Sequence, residues 1–158
     1  MSTGYSENSL VRRVQTIADY QFGGLAGTAL FPDGCEFILS TTGRIRQIIF
    51  EGKRLATVRA QDGRLTLGID GARRLHAILP APDYRVVIRD DVAEFVAQGK
   101  NTFAKHVVSA DPRIRAGDEV LVVTATDHLI ACGKAMLSGE EMLAFNYGGA
   151  VKVREGSE

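Results

Sequence analysis

Apolar and polar positions along the 158-residue chain change period several times, and each change marks an element. Leu10, Val14, Ile17 and Ala18 recur at helical spacing behind Ser9, which predicts a helix over 10–22 with Ser9 as its cap. Gly23-Gly24 closes it, because glycine accepts the left-handed geometry of a helix end. Strand-like runs follow at 36–40, 44–50, 54–59 and 64–69. Glu51-Gly52 and Gln61-Asp62-Gly63 between the last three read as hairpin turns. Asp70 is placed to cap a short helix through Ala72, Leu75, His76 and Leu79. Pro80-Ala81-Pro82-Asp83 then stops it, since each proline biases the residue before it away from helix.

Beyond that break the pattern shortens. A strand is expected at 84–88, and Asp90-Asp91 open a helix through Val92, Phe95 and Val96 that Gly99 ends. Further strands are expected at 105–108, 119–123, 129–135 and 150–153, with a capping box in Ser138-Gly139-Glu140-Glu141. The fold class is therefore α+β: an N-terminal helix, antiparallel sheet and helix over residues 1–82, then a small β-barrel over residues 83–158. The proline link is short and stiff, so the two halves are expected to pack together. Disorder is expected only at residues 1–8 and 155–158.

Composition narrows the classes without naming one. Hydrophobic residues make up 45% and charged residues 24%, ordinary for a globular protein. With 19 basic and 19 acidic residues the net charge is zero, so any nucleic-acid site has to be a local patch. Cys35 and Cys132 lie far apart, with neither a metal-ligand spacing nor a disulfide framework, and read as two reduced thiols. No run approaches the roughly 20 apolar residues of a membrane span, so no membrane role is expected and the cytoplasm is the default location.

Candidate chemistry is sparse. His76, His106 and His128 sit in no recognisable catalytic motif, and neither cysteine has a glycine-rich elbow or a nearby partner thiol. Asp90-Asp91, Asp118-Glu119 and Glu140-Glu141 are sequence neighbours whose side chains diverge, which suits helix starts and a turn better than acid–base work. Phosphate-binding glycine motifs, metal sites and cofactor sites are not expected. The richest polar segment runs from Gly99 through Lys100, Asn101, Thr102, Phe103, Ala104 and Lys105 to His106. Two cations for phosphates and an aromatic or imidazole ring for stacking suit an RNA contact there; a solvated turn over a buried Phe103 is the plainer alternative. Arg44, Arg46, Lys53, Arg54, Arg59 and Arg64 decorate the first-half strands, with Arg44 and Arg46 two apart on one strand face and Ile45 on the other; this is a second candidate for backbone binding, which polar-out alternation explains equally well.

Three pieces in order, GKNTFAK after a helix, RAGDEVLVV, and ACGKAMLSGEEM before a closing AVKVR, resemble a PUA domain. IADYQFGGLAGTALFP followed by TGRIRQIIFEGKRLATVRAQDGRLTLGIDGARRLH resembles the segment ahead of that domain in archaeosine tRNA-guanine transglycosylase, an archaeal enzyme. The resemblance implies an RNA-binding chain, without the catalytic barrel, that holds tRNA near its acceptor end. It implies a separate transglycosylase catalytic subunit as partner, or another modification enzyme served by an adaptor. It also implies that Gly99, Lys100, Asn101, Phe103, Ala104, Lys105 and His106 contact RNA, with Lys152 and Arg154 nearby. Where PUA domains often carry an apolar segment and a glycine, this chain has Lys105-His106, as the transglycosylase subtype does. Two rival readings remain open: a PUA-like modification enzyme with a site near His106 or Cys132, and a protein-interaction module that has lost RNA binding.

Overall fold

A computed structural model describes residues 7–158, which divide into two compact units meeting in sequence between Ile78 and Leu79. In the first unit, α1 (Glu7–Phe22) and α2 (Ala26–Leu30) precede four strands: β1 (Glu36–Leu39), β2 (Ile45–Phe50), β3 (Lys53–Val58) and β4 (Leu65–Leu67). The strands form an antiparallel meander in chain order, and α3 (Ile69–Ile78) closes the unit. The helical period ahead of Gly23 buries Leu10, Val14 and Ala18, as the spacing requires. Helix α1 begins at Glu7, so Ser9 lies inside it rather than capping it, an acidic residue serving as well in a first turn. The disorder expected at residues 1–8 lies outside the described residues except at Glu7 and Asn8, which open α1. Helix α2 has no counterpart in the sequence reading, because five residues are too few to show a period. Asp70 sits in the first turn of α3 and pairs with Arg73 at 2.9 Å instead of capping.

Cys35 is sealed into this unit with 1% of its surface exposed, and burial pushes its thiol from 9.0 up to about 11, against the lowering influence of Arg74. The unfolded chain releases this proton near 9.0 and the folded chain only near 11, so stability falls as pH rises through that window. The difference between denaturant midpoints at pH 8 and 10 should shrink in Cys35→Ala, and alkylation of Cys35 at pH 8 should require unfolding.

The second unit carries β5 (Arg85–Ile88), a 3₁₀ turn at Asp90–Val92, α4 (Ala93–Ala97), β6 (Thr102–Phe103), a 3₁₀ turn at Ala104–His106 and β7 (Val107–Ala110). Strands β8 (Glu119–Val123) and β9 (Leu129–Ala135), helix α5 (Gly139–Ala144) and β10 (Gly149–Gly156) complete it. The sheet order β6-β10-β9-β8-β5-β7 curls into a nearly closed six-stranded barrel. Val86, Ile88, Val120, Val122, Ala131 and Val151 fill its interior at 0% exposure. Each buried valine or isoleucine contributes roughly 1.5–3 kcal/mol. Arg85, 3% exposed, is held by Asp127 at 2.7 Å and by the Asp83 carbonyl at 3.2 Å, which ties β5 to the turn between β8 and β9. Ser138 and Glu141 form the expected capping box of α5.

Two expectations are corrected here. The strand expected over 105–108 is instead a 3₁₀ turn followed by β7: β6 pairs with β10 and β7 with β5, so the chain turns between edges, which the local pattern does not reveal. The tail expected to be disordered is paired. Strand β10 runs to Gly156, and the N–H groups of Ser157 and Glu158 donate to Ile130 and Ala97 carbonyls at 2.9 and 3.0 Å. Backbone pairing orders these polar residues without help from apolar side chains.

Candidate nucleic-acid interface

The surface begins at the end of α4. Gly99, at φ +105°, donates to the Val96 carbonyl at 2.9 Å, and Lys100 donates to the Phe95 carbonyl at 3.1 Å. These two bonds are a Schellman closure, which needs a residue tolerant of positive φ and turns the chain sharply off the helix. Asn101 then accepts the Val153 N–H at 2.9 Å through its side-chain oxygen, bolting the loop to β10. Thr102, 1% exposed, points inward opposite Val151, whereas Phe103 stands outward at 47% exposure opposite Gly149. The open question about Phe103 is settled as to position: the ring is on the surface.

The expected site residues do not all share that surface. Gly99, Lys100, Asn101, Phe103 and Lys105 are exposed along one loop and strand, and His106 is half-buried with its ring edge-to-face on Phe103 at 6.2 Å. Ala104 is core at 2% exposure, its N–H donated to the Gly148 carbonyl at 2.9 Å, so its side chain shapes the loop from beneath. Arg154 is exposed but already paired, its guanidinium 2.5 and 2.7 Å from the two carboxylate oxygens of buried Glu119.

Lys152 gains a neighbour that the sequence reading missed. It lies directly across from Lys134 in the β9–β10 register, and both are exposed on the outer face. Adjacent strands run roughly 4.8 Å apart, so the two ammonium groups share one patch of surface. Like charges directly opposite one another destabilise a strand pair unless an anion lies over them. Among the described residues, Lys100, Lys105, Lys134 and Lys152 make no ion pair. The signal for Lys134 was present in part, since Gly133 and Ala135 alternate with it; the partner across the sheet was not.

Aromatic surface borders Lys105. Phe103, Lys105, Asn146, Tyr147 and Gly148 line a cleft of about 200 Å³. Tyr147, 72% exposed, lies parallel to Phe145 with ring centres 5.9 Å apart and planes within 8°. Neither aromatic was singled out in the sequence, because the stretch between α5 and β10 shows no period. Exposed ring faces beside unpaired cations can stack an unpaired base while the phosphates on either side meet ammonium groups, at roughly 1–3 kcal/mol per stacked base. The remaining candidates have local tasks: His128 lies 3.0 Å from the Thr126 hydroxyl, Asp91 pairs with Arg89 at 2.6 Å, and both cysteines are buried. Among the described residues, no three His, Cys, Asp or Glu side chains converge as a metal site, and no helix is long and apolar enough to cross a membrane.

Residues 12–82 match the family model of the patch-forming domain C2 of tRNA-guanine transglycosylase, and residues 84–156 match that of the PUA domain. The chain is 52% identical over 151 residues to the tRNA-guanine(15) transglycosylase of Pyrococcus abyssi, covering 96% of this chain and 26% of that enzyme. It is 54% identical over 145 residues to that of Thermococcus kodakarensis, covering 92% and 25%. The chain thus spans about a quarter of the length of these curated relatives. Among solved structures, a hypothetical protein of Pyrococcus horikoshii OT3 superposes with a TM-score of 0.73 at 22% identity, covering 98% of this chain and 93% of that one. A conserved PUA domain protein of Thermoplasma acidophilum gives 0.66 at 20% identity, covering 96% and 91%. These two likenesses concern the fold.

Proposed function

The chain belongs to the PUA-domain proteins and carries, ahead of that domain, the patch-forming domain C2 of tRNA-guanine transglycosylase, and from this premise we propose that it binds structured RNA, namely tRNA near its acceptor end. One observation carries the reading: four exposed lysines make no ion pair among the described residues of a chain with zero net charge, and one of them, Lys105, shares a cleft with the exposed rings of Phe103 and Tyr147. Lys100, Lys105, Lys134 and Lys152 meet phosphates, while Phe103 and Tyr147 offer faces to unpaired bases. Phosphate and sugar contacts fix position on the duplex without reading sequence, which suits a module that holds many tRNAs. Gly99 and Asn101 set the loop and Ala104 supports it, so their part is to aim the cations.

In this reading the chain divides into a pre-PUA domain over residues 1–82 and an RNA-binding domain over residues 83–158. It holds tRNA for chemistry done elsewhere, in the cytoplasm, and a separate transglycosylase catalytic subunit is the partner to which it presents the RNA. The archaeal relatives named as transglycosylases, matched at about half of all aligned positions, support that choice of partner.

Lys105→Ala tests the central claim. Its affinity for tRNA should fall, and the slope of log affinity against log salt should become shallower by about one unit. An identical affinity and slope across a salt series would remove Lys105 from the site. Nucleoside analysis of tRNA incubated with the purified chain alone should show no new product; a product would favour an enzyme.

A further inference from the structure

The first unit holds a second polar concavity, remote in sequence from the lysine site. Strands β1 to β4 form an antiparallel meander, so the β1–β2 and β3–β4 turns emerge at the same end of the sheet. Both turns are closed by their own bonds: Ser40 donates to the Arg44 carbonyl at 2.7 Å, and Arg59 to the Arg64 carbonyl at 2.8 Å. Between them lies an open trough of about 1010 Å³ whose lining includes Arg13, Thr42, Arg44, Arg46, Arg59 and Asp62. Ligand pockets for small molecules are enclosed and mostly apolar. This one is open, and its lining mixes apolar surface with the guanidinium groups of four arginines and several hydroxyls, a cationic share that suits a hydrated polyanion.

The charges are not self-cancelling. Asp62 is the carboxylate in the lining, and it is already engaged by the backbone N–H of Arg64 and the guanidinium of Arg59, which hold its carboxyl below the usual range. Arg44 and Arg46 are exposed and make no ion pair among the described residues. Their placement is also irregular in an informative way. Leu39 faces Ile45 while Ile38 faces Gln47, so Arg46 is the extra residue of a β-bulge. Bulges bend a strand and re-aim a side chain, so simple alternation does not explain where this arginine stands.

We propose that this trough binds the phosphate backbone of RNA, with Arg44 and Arg46 as its contacting cations. The inference rests on the reading that the chain binds RNA, and adds a site outside the PUA domain. Arginine suits the role because its planar fork meets phosphate oxygens through two parallel hydrogen bonds.

The test uses the full chain and a folded tRNA across a salt series. Arg44→Gln/Arg46→Gln should lower affinity about tenfold near 0.1 M salt and reduce the log–log slope by about 1.5 units. Arg44→Lys/Arg46→Lys, which keeps the charge, should restore most of the slope. Lys53→Gln, at the opposite end of the same sheet, should change neither quantity. If the wild-type chain binds tRNA and the glutamine pair binds it with the same affinity and slope, the trough is not an RNA site, while the lysine site stands. If the wild-type chain binds no tRNA, both readings fall. A glutamine pair that loses binding to a polyglutamate peptide while its tRNA slope is unchanged would assign the trough to an acidic protein segment and overturn the proposal.

Discussion

Replacing Lys100, Lys105, Lys134 and Lys152 together by glutamine is expected to lower tRNA affinity on the order of 100-fold at about 0.1 M salt. The expectation follows from counterion release. Each cation that neutralises a phosphate contributes about 0.7–0.9 to the salt slope, so four contacts account for roughly three units. The same substitution should leave the fold intact, because all four side chains are exposed and none supports an ion pair among the described residues. The thermal midpoint should change little, since the repulsion between Lys134 and Lys152 across β9 and β10 is offset by Glu119, which faces Lys134 from β8. Affinity lost while stability holds is the mark of a binding surface. Wild-type affinity and slope in the quadruple variant would exclude the patch; lost affinity with lost stability would point to a structural role for the lysines. Phe103→Ala and Tyr147→Ala offer a second axis, since stacking losses should be nearly independent of salt.

Much of the fold was legible because it rests on period and punctuation. The buried stripe of α1, the limits of β8 and β9, the hairpin turns and the capping box at Ser138 all follow from local spacing. Local spacing fails where a distant strand decides. The 3₁₀ turn at Ala104–His106 exists because β6 and β7 pair with different strands, and the tail at 155–158 is ordered by backbone bonds. The site divides in the same way. Lys100 and Lys105 stood out because the GKNTFAK loop concentrates polar groups after a helix-ending glycine. Lys134 escaped because its role depends on facing Lys152 across two strands, and the pairing of Arg154 escaped because its partner, Glu119, lies on β8. A basic residue near a binding loop is a candidate; only the sheet register says whether its charge is already spent.

That register is itself maintained by one small residue, and Gly133→Ala should show how steeply. A Cβ at Gly133 would lie 2.2 Å from the Lys152 carbonyl oxygen and 2.9 Å from the Val153 Cα. Both are backbone atoms of β10, so no flexible side chain can swing aside, and the β9–β10 pair would have to part. We expect a loss of about 3 kcal/mol or more, the upper end of overpacking effects. For a chain of this length that is roughly 6–12 °C in thermal midpoint. Gly99→Ala provides the contrast. Nothing lies within 4 Å of its added Cβ, so its cost comes only from φ +105° and should be about 1–3 kcal/mol. The two variants should also differ in binding. Gly133→Ala displaces Lys152 from Lys134 and should weaken tRNA binding even well below its melting temperature, whereas Gly99→Ala re-aims Lys100 alone. Equal melting temperatures for Gly133→Ala and wild type, by calorimetry, would mean that β10 yields without cost. In that case the close facing of Lys134 and Lys152 would not be a fixed feature of the folded chain.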